Sequence, residues 1–116
     1  MINQRRHRRV PITGTVTLTF KDKGELRSIQ ALPCSISLQG LGVYADEPIK
    51  DDTSISVSIQ FLSFDGMKTE SLEGRVVYNR NIGDIDFMGI QFQEEITSEN
   101  HYLLYEHMQK IIASDK

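Results

Sequence analysis

Residues 9–20 read RVPITGTVTLTF, placing Val10, Ile12, Gly14, Val16, Leu18 and Phe20 at every second position. Pro11 and four threonines fill the gaps between them. In an extended chain successive side chains point to opposite faces, so this alternation buries one face and leaves the other in water. The stretch predicts a half-buried strand. KDKG (21–24) then supplies a turn, and ELRSIQALPCSIS (25–37) returns as a second strand. Pro33 within it has no amide proton for a ladder and marks an edge or a bulge. Four further strands follow at LGVYA (41–45), SISVSIQFLSF (54–64), SLEGRVVYNR (71–80) and IDFMGIQF (85–92). The turn-rich DEPIKDDT, FDGM and NIGD separate them. About six strands with no helix between them predict a mainly β, antiparallel fold. A barrel is favoured over a sandwich, because closure leaves no exposed edge.

The end of the chain changes period. TSENHYLLYEHMQKIIA (97–113) sets Leu104, Met108, Ile111 and Ile112 along one helical face and Glu106, Gln109 and Lys110 on the other. It predicts one C-terminal helix docked by its apolar face, with Thr97 or Ser98 as N-cap. At 116 residues there is room for one domain with a single core. No run approaches the ~18 apolar residues of a membrane span, and no apolar segment follows the N-terminal charges as a signal peptide requires. The expectation is a cytoplasmic protein without a membrane span. Cys34 is the single cysteine, which excludes an internal disulfide, and it reads as a small buried hydrophobe.

Charge is distributed unevenly. The chain carries 13 basic and 16 acidic side chains, a net charge of -3, yet RRHRR (5–9) holds four arginines and no acid lies in the first nine residues. Setting those four aside leaves 9 basic against 16 acidic side chains, a net charge of -7 from Val10 onward. The positive charge is therefore local and reports a partner: phosphate, nucleic acid or an anionic membrane surface. Residues 1–9 are expected to form a flexible basic arm, and residues 10–116 the domain.

Catalytic constellations are missing from the sequence. His101 and His107 are six positions apart, ~600° around a helix at 3.6 residues per turn, and make a poor metal pair. Asp84 and Asp86 in GDID read as turn residues beside Gly83, as do Asp51 and Asp52. No serine has a G-x-S-x-G elbow or a positioned base around it. The chain does not read as an enzyme, and it calls for no metal or cofactor.

CSISLQGLGV (34–43) is the informative turn. Ser35 and Ser37 end a strand and lead into Gly40 and Gly42, where glycine lets a ligand approach the backbone and its NH groups. Together with Arg5 and Arg9 in R-x-x-x-R spacing, this run resembles the PilZ domain family, bacterial receptor modules for cyclic di-GMP. That family has R-x-x-x-R just before its first strand, followed after a hairpin by [D/N]-x-S-x-x-G. Arg5 and Arg9 match the first element; Ser37 and Gly40 match the second. FMGIQF followed by a helix is similar to the family's closing strand and C-terminal helix, so the resemblance covers essentially the whole chain. It implies a six-stranded antiparallel PilZ-like β-barrel with a C-terminal α-helix. It also implies cyclic di-GMP as ligand, held by Arg5, Arg9, Ser35, Ser37 and Gly40, with Arg6 and Arg8 as additional contacts.

Ser35 stands where the family has Asp or Asn. A carboxylate there can accept more than one NH from a guanine edge, whereas serine offers one short, uncharged acceptor. Losing a charge-assisted hydrogen bond costs ~1.5–3 kcal/mol. Arginine suits the ligand on physical grounds, being bidentate to phosphate or to guanine O6 and N7 and able to stack on a base. In an extended segment, residues four apart face the same side ~13 Å apart, so Arg5 and Arg9 can bracket one ligand. Three readings follow. The first is a cyclic di-GMP receptor whose arm orders over the barrel and signals to a partner protein. The second is a degenerate PilZ adaptor that has lost the ligand and acts by protein contacts. The third is a generic anion-binding arm that touches nucleic acid or membrane non-specifically through RRHRR (5–9), with no specific nucleic acid target.

Overall fold

The computed structural model describes residues 8–114. Its elements are β1 (Val10–Pro11), β2 (Gly14–Asp22), β3 (Glu25–Ile36), β4 (Gly40–Ala45), β5 (Ser54–Ser63), β6 (Gly66–Ile82), β7 (Ile85–Phe92) and α1 (Tyr102–Ser114). Six long antiparallel strands follow the sheet order β3-β2-β5-β6-β7-β4, and β3 also pairs with β4, which closes the barrel. The strand expected over residues 9–20 divides. Val10 and Pro11 pair with Ile36 and Ser35 at the end of β3, while Val16 to Asp22 pair with the start of the same strand. The two-residue β1 thus fastens the root of the basic segment beside Ser35.

Alternation built the core as the sequence predicts. Val16 and Leu18 of β2, Val57, Ile59 and Phe61 of β5, and Met88 of β7 are fully buried on successive inward positions. Leu104 and Met108 of α1 join them. The helix packs against β6 and β1. The β2–β3 turn carries positive φ at both Lys23 (56°) and Gly24 (86°), the paired left-handed geometry that matches the twist of a two-residue hairpin.

Two bulges shift the inside–outside phase. In β3 the register against β4 jumps between Pro33 and Ser35, so the expected irregularity at Pro33 is present. Its consequence is that Ala31 and Ile36, an odd number of residues apart, both face the core. Cys34 falls on the bulge and is exposed, which corrects the buried reading. In β6 the shift lies between Val76 and Tyr78. That strand begins at Gly66, five residues before the expected start, so β5 and β6 form a long hairpin turning at Phe64 and Asp65.

The helix start also differs from expectation. Thr97 Oγ1 accepts from the amides of Glu99 and Asn100, capping a short turn, and α1 begins only at Tyr102. The helix's own N-terminal amides are taken by Glu70 of β6. Its Oε2 accepts from Leu103 N (2.9 Å) and Leu104 N (3.3 Å), while Oε1 lies 2.9 Å from His101 Nδ1. A carboxylate at this end complements both the orphan amides and the positive end of the helix dipole.

Candidate functional site

The end of β3, the start of β4 and the short β1 meet at one edge of the barrel. Pro11 pairs with Ser35, Ser35 with Gly42, and Gly42 with Gly89 of β7, forming one row across four strands. Arg9, immediately before β1, is carried to the outer side of this row. Its Nε donates to Ser35 Oγ at 3.0 Å and its Nη2 to the Ser35 carbonyl at 3.4 Å. A guanidinium is thereby seated on the first serine of S-x-S-x-x-G, with part of its donor fork engaged. Arg8 is exposed beside it. Arg5 and Arg6 lie outside the described residues.

Ser37 does not point outward. It is 5% exposed, and its Oγ accepts from Gln39 N at 3.2 Å while Ser37 N donates to the Gly40 carbonyl at 2.9 Å. The hydroxyl therefore shapes the turn, and these two amides are used within it rather than offered to a ligand. Gly40 is the first residue of β4, not part of the turn, and its φ is not in the left-handed region. A Cβ there would press on the Ile90 carbonyl of β7, so glycine is needed for strand-to-strand approach. Gly42 is the glycine that faces Arg9. A Cβ on it would lie 3.5 Å from Arg9 Nη2 and 3.0 Å from Phe87 Cζ.

The remaining titratable candidates have structural partners. His101 is held by Glu70, and His107 is buried against the rings of Phe61 and Phe64, at centroid distances of 5.1 and 5.8 Å. Burial, and then the charge of Lys110, push the His107 pKa below its ordinary value. Asp84 sits in the β6–β7 turn, but Asp86 belongs to β7, faces inward and accepts from Asn81 Nδ2 at 3.3 Å. Asp52 occupies a turn with φ of 70° and pairs with Arg75 at 3.2 Å. Among the described residues, no cluster of three or more His, Cys, Asp or Glu side chains could hold a metal ion.

The sequence model of the PilZ domain matches residues 3–112. The chain belongs to the PilZ domain family. Solved structures agree with the fold at low identity. The Inhibitor of motility (MotI/DgrA) of Bacillus subtilis has a TM-score of 0.71 at 15% identity, covering 99% of this chain and 55% of its own. This chain thus spans only about half of that protein. The PilZ domain of YcgR from Escherichia coli, solved with c-di-GMP, gives 0.62 at 12% identity over 96% of this chain and 91% of its own. The PilZ domain of CeSA from a cellulose-synthesizing bacterium gives 0.53 at 14% identity over 94% and 99%. No curated protein matches the sequence significantly. The PilZ match begins inside the basic segment, at residue 3, and so includes all four arginines. Sequence spacing pointed to Arg9, Ser35, Ser37 and Gly40. It read Gly42 only as a turn glycine and missed Gly89, because only the pairing of β4 with β7 sets the two side by side.

Proposed function

We propose that this PilZ domain is a cytoplasmic, non-catalytic receptor for cyclic di-GMP that signals through a partner protein. Arg5 and Arg9 clamp the ligand, Ser35 contributes a polar contact, Ser37 sets the turn beneath it, Gly40 lets β4 approach β7 directly after that turn, and Arg6 and Arg8 reinforce the field. The observation that carries this reading is Arg9 seated on Ser35 at 3.0 Å, which joins the two motif elements at one point. Family membership and the fold shared with a domain solved with c-di-GMP support the choice of ligand. Both Arg9 donors on this site meet neutral oxygens, so a charged phosphate oxygen would be a stronger acceptor than the groups it displaces. Ligand capture would then draw residues 1–9, acting as an arm, across the barrel wall and change the surface shown to a partner.

A second reading is a degenerate adaptor acting only by protein contacts, favoured by Ser35 in place of the family's Asp or Asn. Chemical-shift titration of the isotope-labelled protein separates the two. The receptor reading expects saturable shifts at Ser35 and Gly42 with cyclic di-GMP and much weaker ones with the linear dinucleotide or GTP. Equal, salt-sensitive responses to all three would indicate the generic anion-binding arm instead.

A further inference from the structure

The outer wall beside Arg9 carries a feature that neither motif element accounts for. Gly42 and Gly89 face each other in register, and neither has a positive φ, so backbone conformation does not demand glycine at either position. Space does. A Cβ on Gly42 would crowd Phe87 Cζ at 3.0 Å, and one on Gly89 would overlap the Tyr78 ring. The glycine pair is thus a floor on which planar groups lie in sequence: the Arg9 guanidinium, the Phe87 ring and the Tyr78 ring. Phe87 and Tyr78 have centroids 5.9 Å apart and an interplanar angle of 37°, and Tyr44 packs on Phe87 at 4.9 Å. Covering glycine with an aromatic ring stabilises a sheet, which explains one face of each ring. It does not explain the outer faces, since Tyr78 is 46% exposed and Tyr44 40% exposed on the same wall.

We propose that Phe87 and Tyr78 form a shelf on which one guanine base of cyclic di-GMP stacks, next to the Arg9 contact; this rests on the receptor reading above. Aromatic rings bind a base through its π-face, and a guanidinium in the same row adds stacking and donates to the acceptors at the base edge. The shelf would supply base contacts that the uncharged Ser35 does not. It also gives the two glycines a single purpose, keeping the rings low enough for a base to lie on them beside Arg9.

The protein has no tryptophan, so Phe87→Trp adds one indole reporter at the shelf. Wild type is titrated with cyclic di-GMP by calorimetry, Phe87→Trp by fluorescence, and Phe87→Leu by both calorimetry and thermal unfolding. The expected result is saturable quenching of the indole over the concentration range of the wild-type heats. Phe87→Leu, compared at matched fold integrity, should bind about tenfold more weakly or worse. Wild-type heat with an unquenched indole and undiminished Phe87→Leu binding overturns the shelf and leaves the receptor reading standing. No wild-type heat overturns both. If the Phe87 variants do not fold, the Gly42 and Gly89 amides of the wild type decide. A purine ring current should shift both, and ligand binding that moves neither contradicts the shelf.

Discussion

Ser35 meets two demands at once: it accepts the Arg9 Nε bond with its hydroxyl, and its backbone pairs with β1 and β4 at the bulge. A carboxylate at this position would face an existing guanidinium rather than an empty pocket, so its charge is compensated before ligand arrives. Ser35→Asp should therefore fold normally and bind cyclic di-GMP about tenfold more tightly, ~1.4 kcal/mol, by restoring a charged acceptor toward guanine NH groups. Titration of the variant beside wild type checks this. Weaker binding would mean that the stronger Arg9 pair holds the guanidinium back from the ligand. Ser35→Ala, which removes the Arg9 acceptor, should cost ~0.5–1.5 kcal/mol of binding. Arg9 and Ser35 were legible because each belongs to a short motif with fixed spacing. The buried turn role of Ser37 was not, since one hydroxyl can serve a ligand or its own backbone and sequence spacing is the same for both.

Among the elements, the strands were legible and their phase was not. Period-2 patterning located all six long strands, but each bulge inserts a residue that reverses which side chains face the core. Cys34 was read as buried because the alternation was carried straight through Pro33, and it is exposed because the bulge breaks it there. The helix was legible from its apolar face. Its cap was not, because Glu70 lies more than 30 residues earlier on β6 and reaches the N-terminus only through the fold. Local rules for Thr97 and Ser98 could not see it. Glu70 binds two helix amides and His101, with only 12% of its side chain exposed, so its loss leaves partly buried donors without partners. Glu70→Ala should lower stability by ~1–2 kcal/mol, and Glu70→Gln by less, since the amide oxygen can still cap while the charge is lost. Urea unfolding of both variants measures the difference, and a fall in denaturation midpoint no larger than for Thr97→Ala would refute the long-range cap.

At the scale of the whole molecule, the barrel is a closed acidic body with a basic segment fastened at one edge by β1. No helix among the described residues is long and apolar enough to cross a membrane. His107 links the fold to pH. Burial against Phe61 and Phe64 depresses its pKa below 6.5, so the unfolded chain takes up a proton that the folded one refuses. Its contribution to stability is complete above pH 6.5 and falls as pH drops through that value, levelling off below the folded pKa. Thermal unfolding between pH 8 and pH 5, taken as about the range over which histidine titrates, should show this decline. His107→Phe should flatten it. The central claim joins all three scales: an arginine placed by β1 meets a serine placed by β3 so that the barrel can take a cyclic dinucleotide. Calorimetric titration of the full chain with cyclic di-GMP, wild type beside Arg9→Ala and Arg8→Ala, tests it most directly. The account predicts a saturable wild-type heat with a dissociation constant on the order of micromolar, abolished in Arg9→Ala and only weakened in Arg8→Ala. No heat from the wild type at about millimolar ligand, or equal losses from both arginine variants, would contradict it.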